Sequence, residues 1–121
     1  MKSNKILIID DEEGIRESLK LILEDHYELV LTENSTQALE ILGNDPSIAL
    51  VLLDIKMPKV NGLDVLKMIK EKSSGIGVIM VTGYRSVETA SEAIRLGANG
   101  YILKPFKSEE ILETVKKHLN R

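Results

Sequence analysis

The chain has no cysteine and no tryptophan, and only one phenylalanine, three tyrosines, three prolines and two histidines among its 121 residues. Without cysteine there are no disulfide frameworks, zinc fingers or thiol catalysis. The balance of 16 basic against 19 acidic side chains, a formal charge of −3, combines with the scarcity of aromatic rings to argue against nucleic acid as a direct ligand. That ligand needs a basic face and usually stacking rings. No apolar run approaches the roughly 20 residues of a membrane span. The first residues pass straight into a strand-like segment without the layout of a signal peptide. At 43% apolar the chain is too hydrophobic to stay disordered. These absences leave the expectation of a soluble, cytoplasmic chain folded as one domain over residues 1–121, burying about two thirds of its unfolded surface.

Five short apolar runs are present: Lys5 to Ile9, Glu28 to Leu31, Ala49 to Leu53, Val78 to Val81 and Tyr101 to Leu103. Three of them are apolar at nearly every position, the habit of strands covered on both faces in parallel sheets. Between them the spacing turns helical. Ile15, Leu19, Ile22 and Leu23 share one stripe, with Arg16, Lys20 and Glu24 opposite. Ser35 reads as an N-cap before Ala38, Leu39, Ile41 and Leu42, with Gly43 able to end that helix. Leu63, Leu66 and Ile69 form a third stripe, Val87, Ala90 and Ile94 a fourth stopped by Gly97, and Ile111, Val115 and Leu119 a fifth starting near Ser108. Strand and helix alternate five times, which implies right-handed crossovers and a three-layer α/β/α sandwich around a parallel sheet.

In open α/β sheets the ligand site lies beyond the carboxyl ends of the strands. Asp10 and Asp11 follow the first run, Asp54 the third, Thr82 the fourth and Lys104 the fifth. Each alone is an ordinary turn, capping or loop residue; their coincidence at one edge is the signal. Three carboxylates about 5 Å apart at an effective dielectric of about 20 repel by roughly 3 kcal/mol per pair, on the order of 10 kcal/mol together. That rivals the roughly 5 to 15 kcal/mol stability of a domain. The cluster must therefore be partly protonated, spread apart or neutralised. Lys104 supplies one positive charge, and a divalent ion would balance the remaining −2. All-oxygen ligands favour Mg²⁺, Mn²⁺ or Ca²⁺ over zinc, and Mg²⁺ keeps water that a phosphate oxygen can replace. A metal, a lysine and a hydroxyl around one carboxylate make a place for a phosphoryl group.

The segments ILIIDDEEGIR, VLLDIKMPKVNGLDVL, VIMVTGY and YILKPF, from about Lys5 to Leu119, resemble in order and spacing the receiver domain of bacterial two-component response regulators. The resemblance implies a flavodoxin-like (βα)5 fold with strand order 2-1-3-4-5, an order that comes from the family and not from the spacing of this chain. It implies that Asp54 accepts a phosphoryl group from a phosphohistidine. Asp10 and Asp11, with Asp54 and the main-chain carbonyl of Lys56, match the Mg²⁺ ligands, Mn²⁺ being a substitute. Thr82 and Lys104 match the groups that bind phosphoryl oxygens, and Tyr101 the aromatic residue that reorients with Thr82. Lys104-Pro105 matches a peptide bond that is typically cis. Lys56 and Tyr84 occupy positions that tune hydrolysis of the acyl phosphate, with Gly83 small beside the phosphoryl site. Met57-Pro58 and Gly62 read as loop shape, Pro58 fixing φ and Gly62 supplying flexibility.

The partners implied are a sensor histidine kinase or histidine phosphotransfer protein, docking near Gly14, Ile15 and Pro105 to Lys107, and a downstream protein target or output domain. Nucleic acid and membrane are not expected as direct partners. The resemblance also allows a phosphorylation-dependent homodimer through the fourth helix, fifth strand and fifth helix. It implies a module that promotes its own phosphorylation and dephosphorylation, not a turnover enzyme, either standing alone or cut from a longer regulator. A haloacid dehalogenase phosphatase would need D-x-D after the first strand, where Asp10 and Asp11 are adjacent. A nucleotide-binding protein would need a glycine-rich phosphate loop, and neither common form is present. Retention of Asp10, Asp11, Asp54, Thr82 and Lys104 argues against a receiver used without phosphorylation.

Overall fold

Five strands form one parallel sheet in the computed structural model, which describes residues 4–119. They are β1 (Lys5–Ile9), β2 (Glu28–Thr32), β3 (Ile48–Leu53), β6 (Gly77–Thr82) and β7 (Gly100–Leu103). Their order across the sheet is β2-β1-β3-β6-β7, the second, first, third, fourth and fifth of the long strands. A two-stranded hairpin, β4 (Lys56–Met57) with β5 (Val60–Asn61), follows β3 and has no counterpart in the apolar runs. Its turn holds Pro58 and Lys59, and Lys59 takes a φ of 66°.

Strand residues alternate between two cores, which is why the runs are apolar throughout. Leu7, Ile9, Val51, Leu53, Val78 and Met80 face one side, against Ala38 of α2 (Ser35–Asn44), Val65, Leu66 and Ile69 of α3 (Gly62–Lys72) and Ala93 of α4 (Val87–Arg95). Ile6, Ile8, Leu50, Leu52, Ile79 and Ile102 face the other, against Leu19 and Leu23 of α1 (Glu13–Leu23) and Ile111 and Val115 of α5 (Ser108–Leu119). Burying one such side chain stabilises by roughly 1.5–3 kcal/mol, so both layers anchor the sheet that carries the site.

Several local expectations shift. The N-cap of α2 is Asn34, whose side chain accepts from the Gln37 amide at 3.0 Å, and Ser35 is already helical. Asn and Ser are both good caps, and Asn34 has the extended backbone the position needs. Helix α2 runs through Gly43 to Asn44, while Gly97, at φ 106°, does terminate α4. Gly62 is a matter of close approach, not flexibility. Its amide donates to the Ile55 carbonyl at 2.7 Å, and a Cβ there would stand 2.1 Å from the Asp54 carbonyl oxygen. Among the described residues no helix is long and apolar enough to cross a membrane.

Candidate functional site

The sheet's hydrogen bonding continues one residue past the strand ends and sets the site. The Asp10 amide donates to the Thr32 carbonyl at 3.1 Å, the Asp54 amide to Ile9 at 3.1 Å, and the Lys104 amide to Thr82 at 2.9 Å. Because Ile9 pairs with Leu53 and Thr82 with Leu103, Asp10, Asp54, Thr82 and Lys104 all emerge at the same edge. Asp54, Thr82 and Lys104 line a cavity of about 630 Å³ together with Asp11, Glu12 and Gly83 among others. Asp54 is only 3% exposed and forms part of its floor, and Thr82 is fully buried.

Charge dominates this edge. One carboxylate oxygen from each of Asp10, Glu12 and Asp54 lies within 4.8 Å of the others. Lys104 Nζ donates to Glu12 Oε1 at 3.0 Å and to Asp54 Oδ2 at 3.2 Å, and forms an ion pair with Asp10 Oδ2 at 3.0 Å. At about 3 Å and an effective dielectric of about 20, each contact with a buried carboxylate attracts by on the order of 5 kcal/mol, and the exposed Glu12 contributes less. The lysine thus offsets most of the mutual repulsion of the acids. Burial pushes the Asp10 carboxyl above the usual aspartate range, opposed by the Glu12 amide on its Oδ1 at 2.9 Å and by Lys104. Burial works against the Lys104 charge, but its hydrogen bonds and attraction to the acids outweigh that and hold the ammonium well above the ordinary lysine range. Three acids and one lysine still leave a formal −2, and an all-oxygen donor set of this kind suits a hard divalent cation.

A family model for the response regulator receiver domain matches residues 6–116. The chain belongs to the response regulator receiver family. It is 38% identical over 120 residues to the sporulation initiation phosphotransferase F of Bacillus subtilis, covering 98% of this chain and 96% of that one. It is 39% identical over 115 residues to a putative response regulator, NtrX-like, of Rickettsia bellii, covering 93% of this chain but 24% of the relative. The receiver thus spans about a quarter of the length of the NtrX-like relatives it matches. A CheY-like receiver domain protein of Methanospirillum hungatei superposes with a TM-score of 0.91 at 36% identity, covering 97% of this chain and 94% of that one. Receiver domains are signalling modules of two-component systems. They bind a divalent metal and interact with histidine kinases or phosphotransfer proteins and with output domains, and the acidic trio here fits the metal.

Around this receiver's core site the other predicted residues fall unevenly. Asp11 lines the cavity without joining the trio, and Glu12, which the strand-end pattern does not single out, takes the third place. The run Asp11-Glu12-Glu13 is the signal that could have found it, but which acid turns inward depends on the backbone beyond β1. Arg16 is a second residue that the sequence pattern misses. Its stripe suggests a solvent-facing side chain, yet Nη1 reaches back to the Asp10 carbonyl at 2.7 Å and pins the loop that presents the acids.

Lys56 offers its amide to Asp54 Oδ1 at 3.4 Å, while its side chain is exposed. The Tyr84 amide lies 3.4 Å from Thr82 Oγ1, and the Tyr101 hydroxyl donates to the Tyr84 carbonyl at 2.9 Å, coupling ring and loop. Burial and the nearby Asp54 charge push the Tyr101 hydroxyl up. Space at Gly83 is open: a Cβ there meets nothing within 4 Å, so protein packing alone does not demand glycine. The Lys104-Pro105 bond is cis. Gly14 is exposed and Ile15 half-buried on α1, with Pro105 and Lys107 exposed and Phe106 half-buried on the loop before α5.

Proposed function

We propose that Asp54 is the phosphoacceptor of this receiver and that a phosphohistidine of a sensor kinase or phosphotransfer protein is its donor. The observation that carries this is the position of the Asp54 carboxylate. It sits at the cavity floor, with Oδ2 on the Lys104 ammonium and Oδ1 facing the Lys56 amide. A carboxylate oxygen of Asp54 attacks phosphorus and forms the O–P bond. The P–N bond to the donor imidazole breaks, and the imidazole leaves with the electron pair. Such a transfer needs chiefly alignment and neutralisation of the equatorial oxygens. Lys104 and the Thr82 hydroxyl supply donors for two of them.

Asp10, Asp11 and Asp54, with the Lys56 main-chain carbonyl, are the groups we assign to Mg²⁺, for which Mn²⁺ substitutes. Asp11 is preferred to Glu12 because it matches the second acid of the receiver pair and lines the same cavity as Asp54. When bound, the ion supplies positive charge to the phosphoryl oxygens during transfer. Thr82 moving toward the phosphoryl group, with Tyr101 following, is the two-state element that alters the surface for a downstream target, an output domain or a second copy. Lys56, Gly83 and Tyr84, bordering the cavity, set the lifetime of the acyl phosphate. The receiver is read as one cytoplasmic unit over residues 1–121 that acts on its own aspartate and turns over no external substrate.

Incubation with MgCl₂ and acetyl phosphate followed by intact-mass spectrometry tests this reading. A gain of one phosphoryl group that disappears in Asp54→Asn is expected. No gain, or an equal gain in Asp54→Asn, refutes it.

A further inference from the structure

We propose that Glu12 is a releasable latch on Lys104, holding the ammonium in the unphosphorylated receiver and letting go when a phosphoryl group arrives. The inference rests on Asp54 being the phosphoacceptor. A lysine ammonium has three N–H donors. Two of them are committed here, to Glu12 and Asp54, and Asp10 forms an ion pair with the same ammonium at 3.0 Å. A phosphoryl oxygen reaching Lys104 therefore competes with three carboxylates already crowded around the ammonium.

The three partners are not equally held. Asp10 and Asp54 are 2% and 3% exposed, and each has its other carboxylate oxygen on a main-chain amide, that of Glu12 or of Lys56. The Glu12 side chain is 60% exposed, and among the described residues its only hydrogen-bond partner is Lys104. An exposed ion pair is weak and readily exchanged for water, whereas a buried carboxylate cannot be turned out cheaply. Glu12 is thus the partner that gives way as the donor approaches, while Asp54 is still a carboxylate; the Asp54 contact itself weakens only once the acyl phosphate has formed.

Its place in the chain supports the same assignment. Glu12 is the residue capping α1, with extended backbone at φ −91° and ψ 116°, yet its side chain makes no capping hydrogen bond. The carboxylate forgoes the free amides of the helix start and points across the cavity mouth to a lysine 92 positions away. There it both occupies a donor that an incoming phosphoryl oxygen needs and adds negative charge to the lining that the anionic phosphodonor must approach.

Neutralising Glu12 removes both obstacles. In Glu12→Gln the initial rate of phosphoryl incorporation from acetyl phosphate, at saturating MgCl₂ and fixed ionic strength, should rise about three- to tenfold. Mg²⁺ affinity by titration calorimetry should stay within about twofold of wild type. Lysine side-chain NMR supplies a readout that general loosening would not move. The Lys104 Nζ signal of Glu12→Gln should differ from wild type in the free proteins and coincide with it when both carry beryllofluoride, a phosphoryl analogue.

A rate no higher than wild type overturns the latch. So does a roughly tenfold or greater loss of Mg²⁺ affinity, which makes Glu12 a metal ligand, or a Lys104 signal that differs equally in both states. These outcomes leave the phosphoacceptor reading standing as long as wild type gains its phosphoryl group and Asp54→Asn does not. Failure of that control removes the reading, and the latch with it.

Discussion

Replacing Gly62 by alanine should be the most damaging single methyl addition to this receiver. A Cβ at that position would lie 2.1 Å from the Asp54 carbonyl oxygen, 2.5 Å from Ile55 Cα and 2.9 Å from the Asp54 carbonyl carbon. Favourable carbon contacts begin near about 3.5 Å, so the overlap exceeds an ångström. Every clashing atom is main chain, which cannot rotate aside as a side chain does. The hairpin end must instead lift off the segment carrying Asp54, straining the Gly62 amide bond to Ile55. Overpacking typically costs about 1–3 kcal/mol, and rigid neighbours place this case at about 3 kcal/mol or beyond. For a chain of this size that lowers Tm by roughly 10–15 °C and the urea midpoint by about 2 M. Gly43→Ala is the matched control, since Gly43 lies within α2 with nothing inside 4 Å of its Cβ position. That substitution should stabilise by about 0.5–1 kcal/mol through helix propensity. Urea denaturation followed by circular dichroism reads both. If Gly62→Ala lies within about 0.5 kcal/mol of wild type, the main chain around Gly62 yields to a methyl group and the close approach is not a rigid constraint.

Two carboxylates should shift stability with pH in opposite directions. Asp10 is raised, first by burial, so its contribution to stability is fully present below the unfolded value near about 4 and is lost as pH rises through the raised folded value. Asp10→Asn should flatten that decline in denaturation midpoints as pH rises above the unfolded value near about 4. Asp45 is lowered to about 2 by its hydrogen bonds from Lys5 and Ser47. Its contribution is present above about 4 and disappears as pH falls toward the folded value, a loss that Asp45→Asn should remove. Mg²⁺ at ten times its dissociation constant should stabilise by about 1.4 kcal/mol, raising Tm by roughly 5 °C. EDTA should reverse the rise. Asp11→Asn should abolish it and Glu12→Gln should not, and the converse would exchange the roles assigned to those two acids.

The fold's alternation and the chemistry at the strand ends are legible in the sequence because both depend on neighbours in the chain. Periodicity places apolar residues on faces, and the residue after a strand leaves at its carboxyl end whatever surrounds it. Asp10, Asp54, Thr82 and Lys104 stand out in that way, and main-chain bonds across the sheet bring them together. Asn34 in place of Ser35 as a cap is a one-residue choice between two good capping types, which local preference alone does not resolve.

Contacts between segments far apart in the chain follow from packing and leave no local trace. Gly62 looks like any loop glycine until α3 starts against the Asp54 carbonyl. Arg16 looks solvent-facing until the loop beyond β1 folds back within its reach. Adjacent acids are equivalent in composition, yet Glu12 meets Lys104 while Asp11 borders the cavity alone, because the chain turns between them as β1 gives way to α1. Local order along the chain settles which chemical groups stand at the sheet edge. Packing decided which of them touch, since distance between remote residues is set by the whole core and not by any local pattern.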